Sequence, residues 1–185
     1  MPKLDNLFFI TGGARSGKSN LAQTLASQSA KQVIYIATMD SSLNDAECQN
    51  RIERHRLDRP SDWQTHEVTK NMTGFINSLP AENLTVLIDC LSLYISNTLL
   101  VNIKLEYNDL EKLILDDVNN ILGTIENHPN FTFIVVTNEV GSGLVPMDKT
   151  GRYFRDILGL ANKNFASRAN KVYFMVSGLK LEIKN

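Results

Sequence analysis

Short apolar runs alternate along the chain with longer segments in which apolar residues recur every three or four positions. The short runs are rich in β-branched residues and nearly continuous in hydrophobicity, which is typical of strands buried on both faces of a parallel sheet. They predict five strands and one further edge strand. The five strands cover residues 7–11, 33–36, 84–88, 131–137 and 172–176, and the edge strand covers 181–184.

The segments between these runs predict helices. In the clearest one, Leu110, Ile114, Val118, Ile121 and Ile125 lie three or four residues apart with acidic residues on the other face, which indicates an amphipathic helix packed on a sheet. Alternating strands and helices indicate an α/β layered fold, and no linker, repeat or low-complexity segment divides the chain, so we expect one domain over residues 1–185. The other predicted helices cover residues 18–29, 45–57, 69–78, 91–100 and 153–168.

Composition argues against several classes of protein. Nineteen Lys and Arg residues against twenty Asp and Glu leave a formal charge of -1, whereas a dedicated nucleic-acid-binding domain is normally clearly basic. No run approaches the ~20 apolar residues of a membrane span, and the first 13 residues hold only four consecutive apolar residues, too few for a signal peptide. Cys48 and Cys90 form no CxxC pair, which argues against a zinc site or a disulfide framework. We therefore expect a cytoplasmic protein with reduced thiols.

A glycine-rich segment carries the strongest functional signal. Residues 12–19 (GGARSGKS) match the phosphate-loop, or Walker A, pattern G-x-x-x-x-G-K-[ST] at every fixed position, between the first predicted strand and the first predicted helix. The glycines allow backbone N–H groups to point at phosphate oxygens, and the helix N-terminus adds partial positive charge. Lys18 would reach the β- and γ-phosphates, and the Ser19 hydroxyl would ligate Mg²⁺. A chance glycine-rich turn is the alternative, and the strand–helix context favours nucleotide binding.

Asp89 follows the buried run at 84–88, so its carboxylate is expected at the carboxyl edge of the sheet, near bound phosphates. An acid there would hold Mg²⁺ through water or orient a substrate hydroxyl. Asp is also favoured as the N-cap of a helix, and a helix is predicted to begin at 91. The phosphate loop upstream favours the functional interpretation.

A basic segment at residues 51–60 contains four arginines and His55 in an otherwise neutral chain. Guanidinium groups bind phosphate oxygens two at a time, so the segment suits a second part of a triphosphate. The surrounding positive charge disfavours an imidazolium and keeps His55 available as a nucleophile or base. A solvated helix with a Glu47–Arg51 ion pair is the alternative that the residues alone leave open.

Two further segments follow predicted strands at the end where α/β proteins bind ligands. Residues 37–39 follow the second strand, and residues 138–143 (NEVGSG) follow the fourth. Glycines in the second segment suit a loop that folds over a substrate, and they suit a plain turn equally well. His66 and His128 have no comparable surroundings and are expected at the surface or in loops.

Taken in order, these segments resemble the bifunctional adenosylcobinamide kinase / adenosylcobinamide-phosphate guanylyltransferase family of cobalamin biosynthesis. The H-R-x-x-R-P-x-x-W pattern and the N-E-V-G loop discriminate best, since many unrelated nucleotide-binding proteins share the glycine-rich motif. The resemblance covers nearly the whole chain. Its pieces are 11–19 (TGGARSGKS), 35–38 (YIAT), 51–63 (RIERHRLDRPSDW), 87–97 (LIDCLSLYISN), 137–146 (TNEVGSGLVP), 154–166 (FRDILGLANKNFA) and 176–180 (VSGLK).

The resemblance implies a RecA-like P-loop NTPase domain in three layers, with helices on both faces of a mostly parallel sheet, and a homotrimer. It also implies two reactions. ATP or GTP first phosphorylates the aminopropanol hydroxyl of adenosylcobinamide. GTP then donates GMP to a histidine with release of pyrophosphate, and the phosphate made in the first step attacks that GMP. Mg²⁺, nucleoside triphosphates and a corrinoid are thus the implied cofactor and substrates, with no nucleic acid and no membrane span.

Position by position, His55 matches the histidine that is guanylylated in the family, and Lys18 is the second catalytic candidate. Ser19 and Asp89 are the candidates for holding Mg²⁺, the latter through water. The nucleotide-binding candidates are Gly12, Gly13, Ala14, Arg15, Ser16, Gly17, Lys18, Ser19, Ala37, Thr38, Met39, Arg56, Leu57, Asp58, Arg59, Glu67 and Asp89.

Three other functions compete with this interpretation. Another small-molecule or nucleotide kinase with the same phosphate loop would need no covalent intermediate. A regulatory GTPase usually carries N-K-x-D after a late strand, and neither Asn162-Lys163 nor Asn170-Lys171 completes that motif. A catalytically inactive binding subunit would not need the chemical groups at Lys18, Ser19, Asp89 and His55, all of which are present.

Overall fold

A computed structural model describes residues 2–29, 31–39 and 59–184. Its strands and helices alternate as the sequence predicts, and the predicted helix over 45–57 lies outside the described residues. The strands are β1 (Leu4–Gly12), β2 (Gln32–Ala37), β3 (Gln64–Glu67), β4 (Leu84–Asp89), β5 (Thr132–Val136), β6 (Ala169–Val176) and β7 (Leu179–Lys184). The helices are α1 (Lys18–Ser27), α2 (Met72–Ser78), α3 (Leu91–Val101), α4 (Tyr107–Glu126) and α5 (Lys149–Arg168).

All seven strands form one sheet in the order β3-β2-β4-β5-β1-β6-β7. Six of them run parallel, and β7 pairs antiparallel with β6 at one edge. The predicted mostly parallel α/β sheet with an added edge strand is therefore confirmed. The aliphatic residues of the central strands are buried on both faces, which explains their continuous hydrophobic pattern.

Strand β3 is absent from the sequence prediction. It contains only Gln64, Thr65, His66 and Glu67, none of them aliphatic, and it lies at the edge of the sheet beside β2. A short, polar edge strand is held mainly by backbone hydrogen bonds to one neighbour, so it leaves no apolar run in the sequence.

Two helices begin at residues other than those predicted, and side-chain caps explain both. Helix α2 begins at Met72 rather than 69, because Asn71 caps it by accepting a hydrogen bond from the Gly74 N–H at 3.2 Å. Helix α5 begins at Lys149 rather than 153. Its cap is Asp148, whose carboxylate accepts from the Gly151 N–H at 2.7 Å.

The core has two parts, one on each face of the sheet. Helix α1 packs on one face through small residues such as Ala22 and Ala26, against a cluster that includes Tyr35. Helices α2 to α5 cover the other face. There Phe165 of α5 stacks on Phe9 of β1 with ring centroids 5.7 Å apart, and both side chains are fully buried. The three-layer arrangement thus holds for the part of the chain that the structure describes.

The register of the parallel strands brings their carboxyl ends to one edge of the sheet. Ala37 of β2 lies opposite both Glu67 of β3 and Asp89 of β4. Asp89 in turn lies opposite Val136 of β5, which is aligned with Ile10 of β1. The segments that follow β1, β2, β3, β4 and β5 therefore all begin at this edge of the sheet.

Candidate functional site

The loop between β1 and α1 follows a backbone path that most side chains disfavour. Gly17 caps α1 with φ 94°, and Arg15 has φ 55°. Gly12 has φ 153°, and a Cβ atom at this position would collide with the carbonyl oxygen of Met175. Glycine is therefore needed at 12 and 17 for the loop to bring the N-terminus of α1, with the N–H groups of its first turn, to the carboxyl edge of the sheet.

Lys18 is the first residue of α1, and its side chain lies back across the loop. The Nζ atom donates a hydrogen bond to the carbonyl oxygen of Gly13 at 2.6 Å, and only 7% of the residue is exposed. The ammonium group is thus held beside the loop. An anion in the loop would meet a fixed positive charge together with the partial charge of the helix end.

The hairpin between β6 and β7 contacts the loop between β1 and α1 and stabilises its backbone. Its turn residues, Ser177 and Gly178, both have positive φ, and the Gly178 N–H donates to the Ser16 carbonyl at 3.1 Å. Met175 lies against Gly12 and Gly17. The backbone of the loop is therefore fixed by a neighbouring strand as well as by its own glycines.

Asp89 ends β4 with its side chain on the face of the sheet that α1 covers, as shown by Leu87 two residues earlier. One of its carboxylate oxygens, Oδ2, accepts a hydrogen bond from the Tyr35 hydroxyl at 2.8 Å. Tyr35 is 1% exposed, and the guanidinium of Arg59 lies 3.6 Å from the centroid of its ring. Tyr35 thus links a carboxylate on one side to a guanidinium on the other.

Burial raises the pKa of the Tyr35 hydroxyl well above its usual range, and the negative charge of Asp89 adds to this effect. The positive charge of Arg59 acts in the opposite direction but does not outweigh the first two causes. The phenol therefore stays protonated at neutral pH and acts as a hydrogen-bond donor to the carboxylate.

Thr38 organises the turn that follows Asp89. Its hydroxyl donates to the Cys90 carbonyl and accepts from the Cys90 N–H, both at 2.8 Å, and its own N–H donates to the Asp89 carbonyl at 3.3 Å. Asn97 of α3 donates to the Thr38 carbonyl at 2.9 Å. Thr38 is fully buried, so its side chain stabilises the backbone at 89–90 rather than reaching into the open edge of the sheet.

The thiol of Cys90 is a poor nucleophile in this setting. Burial raises its pKa above the usual value, and the adjacent Asp89 charge raises it further. A hydrogen bond with Ser92 and the positive charge of Lys18 lower the pKa but only in part.

The segment after β5 is tied to the phosphate-loop motif and then becomes exposed. The Glu139 N–H donates to the Gly12 carbonyl at 2.9 Å, and the Glu139 carboxylate accepts from the Gly141 N–H at 2.7 Å. Beyond it, Leu144 and Met147 are almost completely exposed. This segment is thus ordered by its own hydrogen bonds near Gly12 and presents apolar side chains to solvent farther along.

The structure places most sequence-predicted site residues at one edge of the sheet. The glycine-rich residues 12–19, the segment 37–39, Glu67 and Asp89 follow neighbouring strands, and Arg59 joins them through Tyr35. His55, Arg56, Leu57 and Asp58 lie outside the described residues.

Sequence reasoning missed the role of Tyr35, which it treated only as part of a strand. The available signal is a tyrosine within an otherwise aliphatic run, because a buried hydroxyl needs a partner. Asn97 carries no such signal, since an asparagine on a helix is usually exposed.

Within residues 2–29, 31–39 and 59–184, no group of three or more His, Cys, Asp or Glu side chains is placed to hold a metal ion. Oxygen atoms at the carboxyl edge of the sheet include those of the Ser19 hydroxyl, in the first turn of α1, and of the Asp89 carboxylate at the end of β4. In the same described part of the chain, every helix is too short or too polar to cross a bilayer.

Comparisons with known proteins agree with the resemblance read from the sequence. Residues 8–183 match the family model described as cobinamide kinase / cobinamide phosphate guanyltransferase. The bifunctional adenosylcobalamin biosynthesis protein CobU of Escherichia coli K12 is 36% identical over 184 residues, covering 96% of this chain and 99% of that protein. The protein of the same name from Salmonella typhimurium LT2 is 35% identical with the same coverage, and CobP of Pseudomonas aeruginosa PAO1 is 35% identical over 95% of each chain.

Solved structures share the fold at low sequence identity. An ATPase of a bacterial type III secretion system superposes with a TM-score of 0.56 at 11% identity, covering 97% of this chain and 58% of the other. The flagellar accessory protein FlaH of Methanocaldococcus jannaschii gives 0.50 at 16% identity, covering 99% and 80%. The chain therefore has the RecA-like P-loop fold that the sequence predicts.

We expect Gly12→Ala to destabilise the protein and to weaken nucleotide binding, because the new Cβ would collide with the Met175 carbonyl in a backbone conformation that favours glycine. A loss of about 1–3 kcal/mol in the free energy of unfolding is expected. Gly13→Ala is the matched control for stability, since a Cβ at 13 meets no protein atom within 4 Å. Thermal unfolding without GTP compares the stability of the two variants, and unfolding with GTP measures binding by Gly12→Ala against the wild type. Equal stability of the two variants would contradict the close approach at Gly12.

Proposed function

From the premise that this chain belongs to the cobinamide kinase / cobinamide phosphate guanyltransferase family, we propose that one nucleotide site at the carboxyl edge of its sheet serves both reactions. The chain is a bifunctional enzyme of cobalamin biosynthesis. The observation that carries the single-site proposal is the convergence of the loop 12–19, Asp89 and Arg59 at one edge. We also propose that residues 1–185 form one domain and that the protein is located in the cytoplasm.

In the kinase step, the loop amides and Lys18 hold the β- and γ-phosphates of ATP or GTP. The aminopropanol hydroxyl of adenosylcobinamide attacks the γ-phosphorus and releases its proton to water, the bond from that phosphorus to the bridging oxygen breaks, and the nucleoside diphosphate leaves with the electron pair of that bond. The ammonium of Lys18, 2.6 Å from the Gly13 carbonyl, supports this role because it places a positive charge against the loop where the phosphates are proposed to bind.

In the guanylyl transfer, the neutral His55 ring attacks the α-phosphorus of GTP and pyrophosphate leaves. A phosphate oxygen of adenosylcobinamide phosphate then attacks the same phosphorus, the phosphorus–nitrogen bond breaks, and the products are adenosylcobinamide-GDP and free His55. The arginines around His55 suit this chemistry, since they keep the ring unprotonated and hold phosphate oxygens. Arg59 supports the assignment, because its guanidinium lies beside Tyr35 at the site edge.

Mg²⁺ fits the oxygen atoms at the carboxyl edge of the sheet. A magnesium ion in a nucleotide site takes few protein ligands and completes its shell with phosphate oxygens and water. Ser19 would bind it directly and Asp89 through water, and the ion would supply neutralisation of the triphosphate charge. Residues 37–39 are also part of the proposed nucleotide site. Thr38 acts there indirectly, through the backbone at Cys90 that its hydroxyl stabilises.

The acceptor is much larger than a nucleotide, and the segment after β5 suits it. Leu144, Val145 and Met147 are exposed on this segment, which Glu139 and Arg152 hold in place through hydrogen bonds to its backbone. An ordered apolar surface of this kind fits the hydrocarbon edge of a corrin ring.

We expect GTP labelled at the α-phosphate to leave label on the protein in the presence of Mg²⁺ and without acceptor. The label should be lost in acid, because a phosphorus–nitrogen bond is acid-labile, and it should be absent from His55→Ala. His128→Ala is the control, since His128 is engaged with the Thr124 carbonyl at 2.8 Å on the opposite face. Label retained by His55→Ala would assign the nucleophile to another residue. Transfer of γ-phosphate with no protein-bound label in the wild type would instead favour a kinase without a covalent intermediate.

We expect Lys18→Ala to lower both activities together, each by about 100-fold or more, because one phosphate cradle is proposed to serve both triphosphates. Phosphorylation of cobinamide and formation of the protein-bound label are measured separately on the same preparation. A variant that loses one activity and keeps the other would indicate two nucleotide sites.

We also propose that the chain forms a homotrimer, as the family resemblance implies. Strand β7 supports an assembly, because Leu179, Leu181 and Ile183 are all more than half exposed at alternate positions, and Val176 of β6 lies opposite Leu179. Leu181→Lys places a charge in this row and is expected to shift the mass in sedimentation velocity from three copies towards one. Lys180→Leu, on the neighbouring position of the same strand, is the control. Unchanged mass in Leu181→Lys would move the interface elsewhere.

A further inference from the structure

The polar contacts of Tyr35 have no part in the reactions just described, yet Tyr35 contacts both Asp89 and Arg59, two residues of the proposed site. The hydroxyl donates to Asp89 Oδ2 at 2.8 Å, and the face of the ring lies 3.6 Å from the Arg59 guanidinium. We propose that Tyr35 is a positioning residue that fixes the Asp89 carboxylate and the Arg59 guanidinium relative to each other. This inference rests on the proposed function, because it assigns Asp89 to the metal side and Arg59 to the phosphate side.

The hydroxyl restricts what Asp89 can do. A carboxylate at a strand end rotates about its last torsion unless a partner holds it, and Tyr35 holds Oδ2 from within the sheet. Because the carboxylate is planar, this hydrogen bond also fixes the direction in which the other oxygen, Oδ1, points. A carboxylate that is already oriented loses less entropy when a hydrated cation arrives.

The ring restricts Arg59 in a similar way. A guanidinium lies flat on an aromatic face, and burial of Tyr35 fixes that face. The Nε atom of Arg59 is buried without a hydrogen-bond partner among the described residues, and its NH1 reaches Thr65 Oγ1 only at 3.5 Å. Arg59 therefore keeps a donor without a partner among the described residues, while its guanidinium is held over the ring.

The two contacts use different parts of one side chain, so they can be removed separately. Tyr35→Phe keeps the ring beneath Arg59 and removes only the hydroxyl. Tyr35→Leu removes both contacts. A matched control exists elsewhere in the chain, because Tyr94 is equally buried and donates to Asp117 Oδ2 at the same distance of 2.8 Å, on the opposite face of the sheet. Tyr94→Phe therefore removes a comparable hydrogen bond on the other face, together with the bond that the Tyr94 hydroxyl accepts from the Met72 N–H at 3.3 Å.

The first experiment measures the affinity for a non-hydrolysable GTP analogue by calorimetry, with Mg²⁺ and with the metal chelated. Mg²⁺ increases the affinity by some factor in the wild type, and in Tyr35→Phe this factor is expected to be about tenfold smaller, because a hydrogen bond to a charged group is lost. Affinity without the metal should change little, and Tyr94→Phe should show the wild-type gain. Thermal unfolding confirms that both variants are folded and compares their stability.

The second experiment tests the ring by combining each Tyr35 variant with Arg59→Gln and measuring metal-free affinity. Arg59→Gln should weaken binding to the same extent in the wild type and in Tyr35→Phe. It should add little in Tyr35→Leu, where the guanidinium is already unsupported.

Two outcomes would overturn the inference. One is that Mg²⁺ raises the affinity of Tyr35→Phe for the analogue as much as it raises that of the wild type, although Asp89→Ala abolishes this increase. The other is full additivity of Arg59→Gln with Tyr35→Leu. A wild-type protein that does not bind the analogue, or an Asp89→Ala variant that keeps the Mg²⁺ gain, would count against the proposed function itself.

Discussion

The parallel register of β2, β4, β5 and β1 is the constraint on which the site depends. Hydrogen bonds along these strands fix Ala37, Asp89, Val136 and Ile10 at one level, so the segments that follow begin side by side. Side chains alternate along a strand, and a slip of one residue would move Asp89 from the α1 face to the opposite face. The large aliphatic residues buried on both faces prevent that slip. The chemistry at the edge is thus specified by packing in the middle of the sheet.

Polar residues near the edge divide into those that remain available and those that are used inside the fold. The hydroxyls of Thr38 and Tyr35 and the amide of Asn97 are all engaged with neighbouring strands or turns. Their bonds stabilise the backbone around Asp89, because a buried polar group without a partner would cost free energy. A substitution of one of these three side chains would therefore disturb the backbone around Asp89 from inside the fold.

The fold was largely predictable from the sequence, and the site was predictable in part. The continuous apolar runs identified the central strands, and Gly12 to Ser19 identified the loop, since the backbone demands glycine at 12 and 17 through positive φ and, at 12, close approach. Strand β3 escaped prediction because its stability comes from backbone pairing, which leaves no side-chain pattern. The link from Arg59 through Tyr35 to Asp89 joins residues distant in sequence, and only the strand order brings them together. The assignment of His55 stays a prediction from the sequence.

The two-residue turn at Ser177 and Gly178 has a consequence for how this sequence can vary. Surface hairpins usually tolerate added residues, because their tips touch nothing. This tip instead donates a hydrogen bond to Ser16, and Met175 beside it touches the glycines of the loop. An insertion at the tip would withdraw that support and loosen the anion cradle, although the change would lie more than 150 positions away along the polypeptide. Length variation is therefore disfavoured at a place that would otherwise look permissive.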